Sequence, residues 1–150
     1  MDTRPRVLLI ENSPLDVAKA VRILKNLKLD HPLVLTSVAK ALMYLEDVLA
    51  GEKQCPELII LDLEFGAESG FEVLRFRKTN PRLHQCQILV WTVMGEREKE
   101  LCRLFGVTHI SKQDGDAALE SALRKVIASR SPAPSDPATA QGKPVDRSST

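Results

Sequence analysis

The chain has 150 residues, of which 43% are hydrophobic, and this is enough to build one domain with a substantial core. Its 21 basic and 20 acidic residues leave a formal net charge of +1, so no excess of charge favours DNA or an anionic membrane surface. No apolar run approaches the roughly 20 residues that are needed to span a bilayer. We therefore expect a cytoplasmic protein that binds neither DNA nor membrane.

The cysteines and histidines are few and scattered. Cys55, Cys86 and Cys102 are odd in number and lack the C-x-x-C spacing of metal or redox sites. We interpret them as reduced packing residues, because free cysteine commonly behaves as a small buried hydrophobe. The three histidines are equally far apart along the chain, so we expect no metal cluster of these residue types.

Five short apolar runs without polar alternation occur along the chain. They are Val7–Ile10, Leu33–Leu35, Leu58–Leu61, Ile88–Trp91 and Val107–Ile110. Such runs are typical of strands that are buried on both faces of a parallel sheet. The sequence therefore predicts five strands, with Trp91 as part of the core.

The segments between these runs have helical character. Ser13 before Pro14 predicts an N-cap followed by proline at the first helical position, and Ser69 three residues before Glu72 fits a capping box. Apolar residues recur at helical spacing in three of these segments, beginning at Val17, Leu101 and Leu119. The charged stretch "GEREKE" is interpreted as the solvated start of a helix.

Five strand–helix pairs in this order predict an α/β fold. Right-handed crossovers wind them into a doubly wound five-stranded parallel sheet with helices on both faces. We place this domain at residues 1–130. Residues 131–150 are rich in Ser, Pro, Ala and Thr and cannot bury enough apolar surface to offset their ordering entropy, so we expect a disordered C-terminal tail.

Polar residues that can carry chemistry follow four of the predicted strands. They are Glu11 and Asn12 after the first strand, Asp62 at the third, Thr92 at the fourth and Lys112 after the fifth. We expect them to meet, because ligands of such sheets gather at the carboxyl ends of the strands. Carboxylates, an amide, a hydroxyl and an ammonium suit phosphoryl transfer to a carboxylate, which needs mainly positioning and charge neutralisation. Each residue alone also has a structural interpretation, such as a polar end to a strand or a solvated charge.

Over roughly residues 5–128, the sequence resembles the receiver domains of two-component response regulators. "VLLIENSPLD" is similar to their first strand and acidic loop, and "LIILDLEFGAESGFEVLRFRK" to the acceptor strand, its loop and the third helix. "ILVWT" is similar to the strand that ends in the switch hydroxyl, and "GVTHISK" to the strand that ends in lysine. The spacings also agree, with 30 residues from Asp62 to Thr92 and 50 from Asp62 to Lys112. The resemblance implies a flavodoxin-like receiver fold.

The resemblance also implies a role for each matched residue. Asp62 would accept a phosphoryl group from the phosphohistidine of a sensor histidine kinase or phosphotransfer protein. Thr92 would hydrogen-bond the attached phosphoryl group, and Lys112 would pair with its charge. Gly70 corresponds to the glycine that commonly opens the third helix.

A magnesium site is implied by the same resemblance. Asn12 would contact Mg²⁺ directly, Glu11 through water, and Glu64 by its backbone carbonyl, beside Asp62. The family usually has aspartate where Asn12 stands, so one negative charge is missing and we expect weak binding.

Three further positions depart from the family pattern. His109 replaces the aromatic residue of the fifth strand, and we interpret it as a half-buried polar residue at an edge of the domain, with a rotamer or pH switch as the alternative. Gln113 replaces the proline after the lysine, which removes the usual reason for a cis peptide there. Gly66 stands where the acceptor loop usually has proline.

Two functional hypotheses remain. The first is a single-domain response regulator that signals through an unknown downstream protein, using the face of its fourth helix, fifth strand and fifth helix, and a homodimer stays open. After Lys125 about one helical turn and the tail remain, too little for a helix-turn-helix domain. The alternative is a phosphorylation-independent pseudo-receiver that acts as an interaction module. We do not expect an enzyme, because a phosphatase-like use of Asp62 needs a second catalytic acid near the nucleophile.

Overall fold

The computed structural model of the protein describes residues 7–129. Its strands are β1 (Val7–Ile10), β2 (Leu33–Leu35), β3 (Leu58–Leu61), β4 (Glu64–Phe65), β5 (Glu68–Ser69), β6 (Gln87–Thr92) and β7 (Thr108–Ser111). Its helices are α1 (Pro14–Asn26), α2 (Val38–Leu49), α3 (Phe71–Thr79), α4 (Glu96–Phe105) and α5 (Asp116–Ser129), with 3₁₀ turns at Pro81–Gln85 and Lys112–Asp114. The predicted tail, residues 131–150, lies outside the described residues.

A five-stranded parallel sheet with the order β2-β1-β3-β6-β7 forms the centre of the fold. This confirms the predicted fold class. The first three predicted strands have the observed bounds, whereas β6 extends one residue beyond the predicted run at each end and β7 begins and ends one residue later. The two edge strands are only partly buried, so the prediction of burial on both faces was wrong for β2 and β7.

Helices cover both faces of the sheet and divide the core into two layers. Alternate residues of β1 show the division, because Leu8 and Ile10 pack with α2, α3 and α4, whereas Val7 and Leu9 pack with α1 and α5. Trp91 lies in the second layer and is 2% exposed, as predicted. The sheet therefore holds its strand ends in fixed positions between two apolar layers.

Helix starts follow the sequence prediction in one case and differ in another. Ser13 is the N-cap of α1, its hydroxyl accepts a hydrogen bond from the Asp16 backbone N–H, and proline follows it. The capping box predicted from Ser69 and Glu72 was wrong. Gly70 is the N-cap of α3, and the Ser69 hydroxyl instead accepts from the N–H of Phe71.

The interpretation of all three cysteines as reduced was also wrong. Cys55 and Cys86 form a disulfide, with Cα atoms 6.6 Å apart, and only Cys102 is a free thiol. The cause is non-local: β3 and β6 pair in parallel with Leu58 opposite Gln87, which brings the segments before both strands together. Burial, together with a contribution from nearby Glu98, raises the pKa of the Cys102 thiol to about 11.

Across residues 7–129, no helix has both the length and the apolar character that would be required to cross a membrane.

Candidate functional site

Four of the five polar residues that were predicted to meet do so at the carboxyl edge of the sheet, whereas Asn12 is exposed in the loop after β1. Asp62 directly follows β3, Thr92 ends β6, and Lys112 follows β7, which are three neighbouring strands. Glu11 follows β1 on the other side of β3. Because the strands are parallel, all four side chains start from the same edge.

Asp62 lies at the centre of this group. It is 5% exposed, and Oδ1 accepts hydrogen bonds from the Thr92 hydroxyl at 2.5 Å and from the Glu64 backbone N–H at 3.2 Å. Oδ2 accepts from Nζ of Lys112 at 3.1 Å. The carboxylate is therefore held between a hydroxyl, a backbone amide and an ammonium.

The Lys112 ammonium contacts three carboxylates, which come from three different segments of the chain. Nζ lies 2.8 Å from Oε1 of Glu11, 2.7 Å from Oδ2 of Asp16 and 3.1 Å from Oδ2 of Asp62. Burial alone would lower the pKa of Lys112, but the bonds to Asp16 and Glu11 and the charge of Asp62 outweigh it and raise the pKa. The ammonium also lies 5.1 Å from the centre of the Trp91 ring.

The Glu11 side chain is fully buried, and burial disfavours the charged form of its carboxyl group. Desolvation is the main cause that raises the pKa of its carboxyl to about 7, the contact with Lys112 opposes it, and the charge of Asp62 adds to it. Oε2 accepts the backbone N–H of Ser13 at 3.1 Å, while Oε1 has no hydrogen-bond partner of good geometry despite the nearby ammonium. The positive charge that faces this oxygen in the structure is the Lys112 ammonium.

The donor set fits a hard divalent cation such as Mg²⁺. Among residues 7–129, no three side chains of the types His, Cys, Asp and Glu form a complete metal-binding group. Mg²⁺ does not need one, because it keeps several waters and takes one or two carboxylates. Glu11 and Asp62 are two buried carboxylates at this edge of the sheet, and Asn12, the next residue after Glu11, is exposed.

The loop after Asp62 folds into a small hairpin that the sequence did not predict. Glu64 pairs with Ser69 and Phe65 with Glu68 in antiparallel order, around the two-residue turn Gly66–Ala67. Gly66 has φ +65°, which proline cannot adopt, so its departure from the family pattern is what permits this turn.

The third helix begins close to the backbone of Asp62 and Leu63. A Cβ on Gly70 would lie 2.3 Å from the carbonyl oxygen of Asp62 and 2.7 Å from Cα of Leu63. Gly70 also donates its N–H to the Leu63 carbonyl at 3.1 Å. Only glycine fits at this position.

Two other departures lie away from the acceptor. His109 is half-buried on edge strand β7, with Nδ1 3.3 Å from the Val107 carbonyl, as predicted for a polar residue at the edge of the domain. Gln113 is exposed in the turn after Lys112, and the described chain contains no cis peptide bond.

Two residues of the site were missed by sequence reasoning. Asp16 contacts Lys112, and its place in the first turn of the helix after β1 was a signal that could have suggested it. Glu68 bonds to the start of α2, and no local pattern indicated this contact.

Solved structures of similar fold cover most of the chain. The Mn²⁺-bound response regulator Rcp1 is 26% identical, with a TM-score of 0.68, over 82% of this chain and 91% of that one. A receiver domain of a histidine kinase from Syntrophus aciditrophicus is 20% identical, with a TM-score of 0.69, over 87% and 95%. The receiver domain of a Luxo repressor protein from Vibrio parahaemolyticus is 22% identical, with a TM-score of 0.67, over 84% and 92%.

No protein-family model and no curated protein sequence matches the chain. The assignment therefore comes from the structure: residues 7–129 have the fold of response regulator receiver domains.

Proposed function

We propose that the protein is a response regulator that accepts a phosphoryl group on Asp62 from the phosphohistidine of a sensor histidine kinase or phosphotransfer protein. The observation that carries this proposal is the environment of the Asp62 carboxylate. It is nearly buried, yet each oxygen has a donor of the kind that can also hold phosphoryl oxygens, the Thr92 hydroxyl and the Lys112 ammonium.

In the transfer, a carboxylate oxygen of Asp62 forms a bond to phosphorus while the phosphorus–nitrogen bond of phosphohistidine breaks and the imidazole leaves. Thr92 and Lys112 stabilise negative charge on the phosphoryl oxygens, and the Glu64 N–H keeps the acceptor oriented. Little covalent chemistry is asked of the protein, so positioning is its main contribution.

Mg²⁺ would be held by Glu11 and Asp62 with neutral oxygens from Asn12 and Glu64. When bound, it supplies positive charge that neutralises the phosphoryl oxygens. Asn12 provides a dipole where a carboxylate would provide a full charge, so this protein binds the cation weakly.

The modified domain signals by protein contact through the face formed by α4, β7 and α5. Two features support this surface. Leu104 of α4 is 66% exposed, and a groove of about 580 Å³ between β7 and α5 is lined by residues that include His109, Ile110 and Ala122. An edge strand beside an apolar groove suits a protein partner.

A pseudo-receiver is the second candidate, and one observation favours it. Lys112 contacts all three carboxylates directly, so the site has an internal cation that compensates part of their charge without a metal. A domain of this kind could keep its fold and its protein contacts without ever being phosphorylated.

Incubation with acetyl phosphate and Mg²⁺, followed by intact-mass measurement, distinguishes a response regulator from a pseudo-receiver. A response regulator gains one phosphoryl group, Asp62→Asn gains none, and the control Asp114→Asn, an exposed aspartate in the turn after Lys112, is labelled like the parent. An unlabelled parent favours the pseudo-receiver, and a labelled Asp62→Asn variant shows that the acceptor is another residue.

A further inference from the structure

One carboxylate of the acceptor loop, residues 62–70, bonds to a helix that is distant in sequence. Glu68 lies on the second strand of the hairpin that Gly66 makes possible. Its Oε1 accepts the backbone N–H of Val38 at 3.0 Å, and its Oε2 accepts that of Ala39 at 3.2 Å. These two amides are the first two of α2, which lies about 30 residues earlier in the chain.

The start of a helix has four backbone N–H groups that lack partners within the helix. In α2, the Ser37 hydroxyl accepts the N–H of Lys40 at 3.1 Å, which is the usual local cap. Glu68 accepts the N–H groups of Val38 and Ala39, and its negative charge also suits the positive end of the helix. The N-terminus of α2 therefore depends on one local residue and one residue of the acceptor loop.

The other side of the same loop contacts the acceptor. The Glu64 N–H donates to Oδ1 of Asp62, and the Leu63 N–H lies 3.4 Å from the Thr92 hydroxyl, to which it also donates. The hairpin connects these amides to Glu68 over a few residues. Movement of the hairpin would therefore also move the backbone N–H groups of Leu63 and Glu64, which contact Thr92 and Asp62.

We propose that Glu68 is a positioning residue for the acceptor site: by bonding to the N-terminus of α2, it holds the acceptor loop in the conformation in which the backbone of Leu63 and Glu64 orients Asp62 and Thr92. The proposal rests on the phosphoryl-acceptor function of Asp62. The two carboxylate oxygens of Glu68 each accept one N–H, and together these bonds fix both the position and the direction of the side chain. The site therefore needs a carboxylate on a side chain of this length. Glu68 touches no reacting atom and acts through the loop.

Two variants of the same helix start test the proposal. Glu68→Ala and Ser37→Ala both remove a cap from α2, so both should lower its stability by a similar amount, but only Glu68→Ala releases the loop. We expect Glu68→Ala to slow labelling by acetyl phosphate at fixed Mg²⁺ by about fivefold, the factor that loss of a cap of ordinary strength corresponds to. Ser37→Ala should label like the parent, and Glu68→Gln, which keeps an accepting oxygen, should recover part of the rate.

Amide hydrogen exchange gives a readout that does not need labelling. Exchange of residues 63–70 should accelerate in Glu68→Ala and stay unchanged in Ser37→Ala. If both variants label and exchange in this loop alike, Glu68 is only a helix cap and the proposal is overturned. If the parent is never labelled while loop exchange still separates the variants, the acceptor function fails but the attachment of the loop by Glu68 stands.

Discussion

The Thr92 hydroxyl donates a hydrogen bond of 2.5 Å to Oδ1 of Asp62, across two neighbouring strands. Thr92 is fully buried, so the bond forms in a medium that strengthens it. Thr92→Val keeps the shape and removes the donor, and we expect it to lower the free energy of unfolding by about 1.5–3 kcal/mol, the range for a hydrogen bond to a charged group. Urea unfolding measures this. The control Thr108→Val changes an exposed threonine on β7 and should have little effect, and equal losses in both would contradict the prediction.

Glu11 should make stability depend on pH. Burial raises its pKa from 4.5 to about 7, so between these values the folded chain binds more protons than the unfolded chain. This contribution therefore lowers stability as pH rises from about 4.5 to 7. Relative to the parent, Glu11→Gln should gain up to about 3 kcal/mol between pH 4.5 and pH 8. Urea unfolding at several pH values tests this prediction, with Glu52→Gln, a change at an exposed residue, as the control. If the free energies of unfolding of Glu11→Gln and the parent change with pH in parallel, the prediction is contradicted.

Gly70 should not tolerate a side chain. Its φ of −63° suits any residue, so the restriction is the contact of a new Cβ with the backbone of Asp62 and Leu63. Gly95 is a matched control, because it is the N-cap of α4 and a Cβ there meets only the end of the Glu98 side chain, at 2.8 Å, and no backbone atom. We expect Gly70→Ala to lose roughly 3 kcal/mol or more and Gly95→Ala to lose about 1 kcal/mol or less. Thermal unfolding compares them, and similar losses would show that the acceptor backbone can move.

Asn12 should limit metal affinity. Asn12→Asp adds a negative charge directly after Glu11 in the chain, and we expect it to lower the Mg²⁺ concentration for half-maximal labelling by roughly tenfold. Fluorescence of Trp91, the only tryptophan of the chain, offers a second measurement because its ring lies close to Lys112. Asn26→Asp makes the same charge change at the far end of α1. No difference between the two variants would mean that Asn12 is not a metal ligand.

The disulfide between Cys55 and Cys86 predicts how many cysteines react as free thiols. Of the three cysteines, only Cys102 should react after denaturation without reductant, and all three should react after reduction. Because the bond closes a loop with a sequence separation of 31, its reduction should cost about 2–4 kcal/mol. Three reactive thiols in the unreduced protein would contradict the bond.

The sequence predicted the parts of this fold that depend on residues close together in the chain. Val7–Ile10 and Leu58–Leu61 are continuous apolar runs, and the residues that follow them meet because parallel strands end at one edge. The contact of Glu68 with Val38 and the pairing of Cys55 with Cys86 join residues that are 30 and 31 positions apart in sequence. The packing of the strands and helices brings these residues together, and no local pattern in the sequence indicates it.

Lys112 has a consequence for protein synthesis. Its partners Asp16 and Asp62 lie 96 and 50 residues earlier in the chain. A chain that is still on the ribosome, or that stops before β7, already contains the Asp62 carboxylate but lacks the ammonium that contacts it. The same short segment therefore supplies both the edge strand β7 and the positive charge that faces Asp16 and Asp62. We expect these two carboxylates to repel one another in fragments that stop before β7, and we expect such fragments to fold poorly.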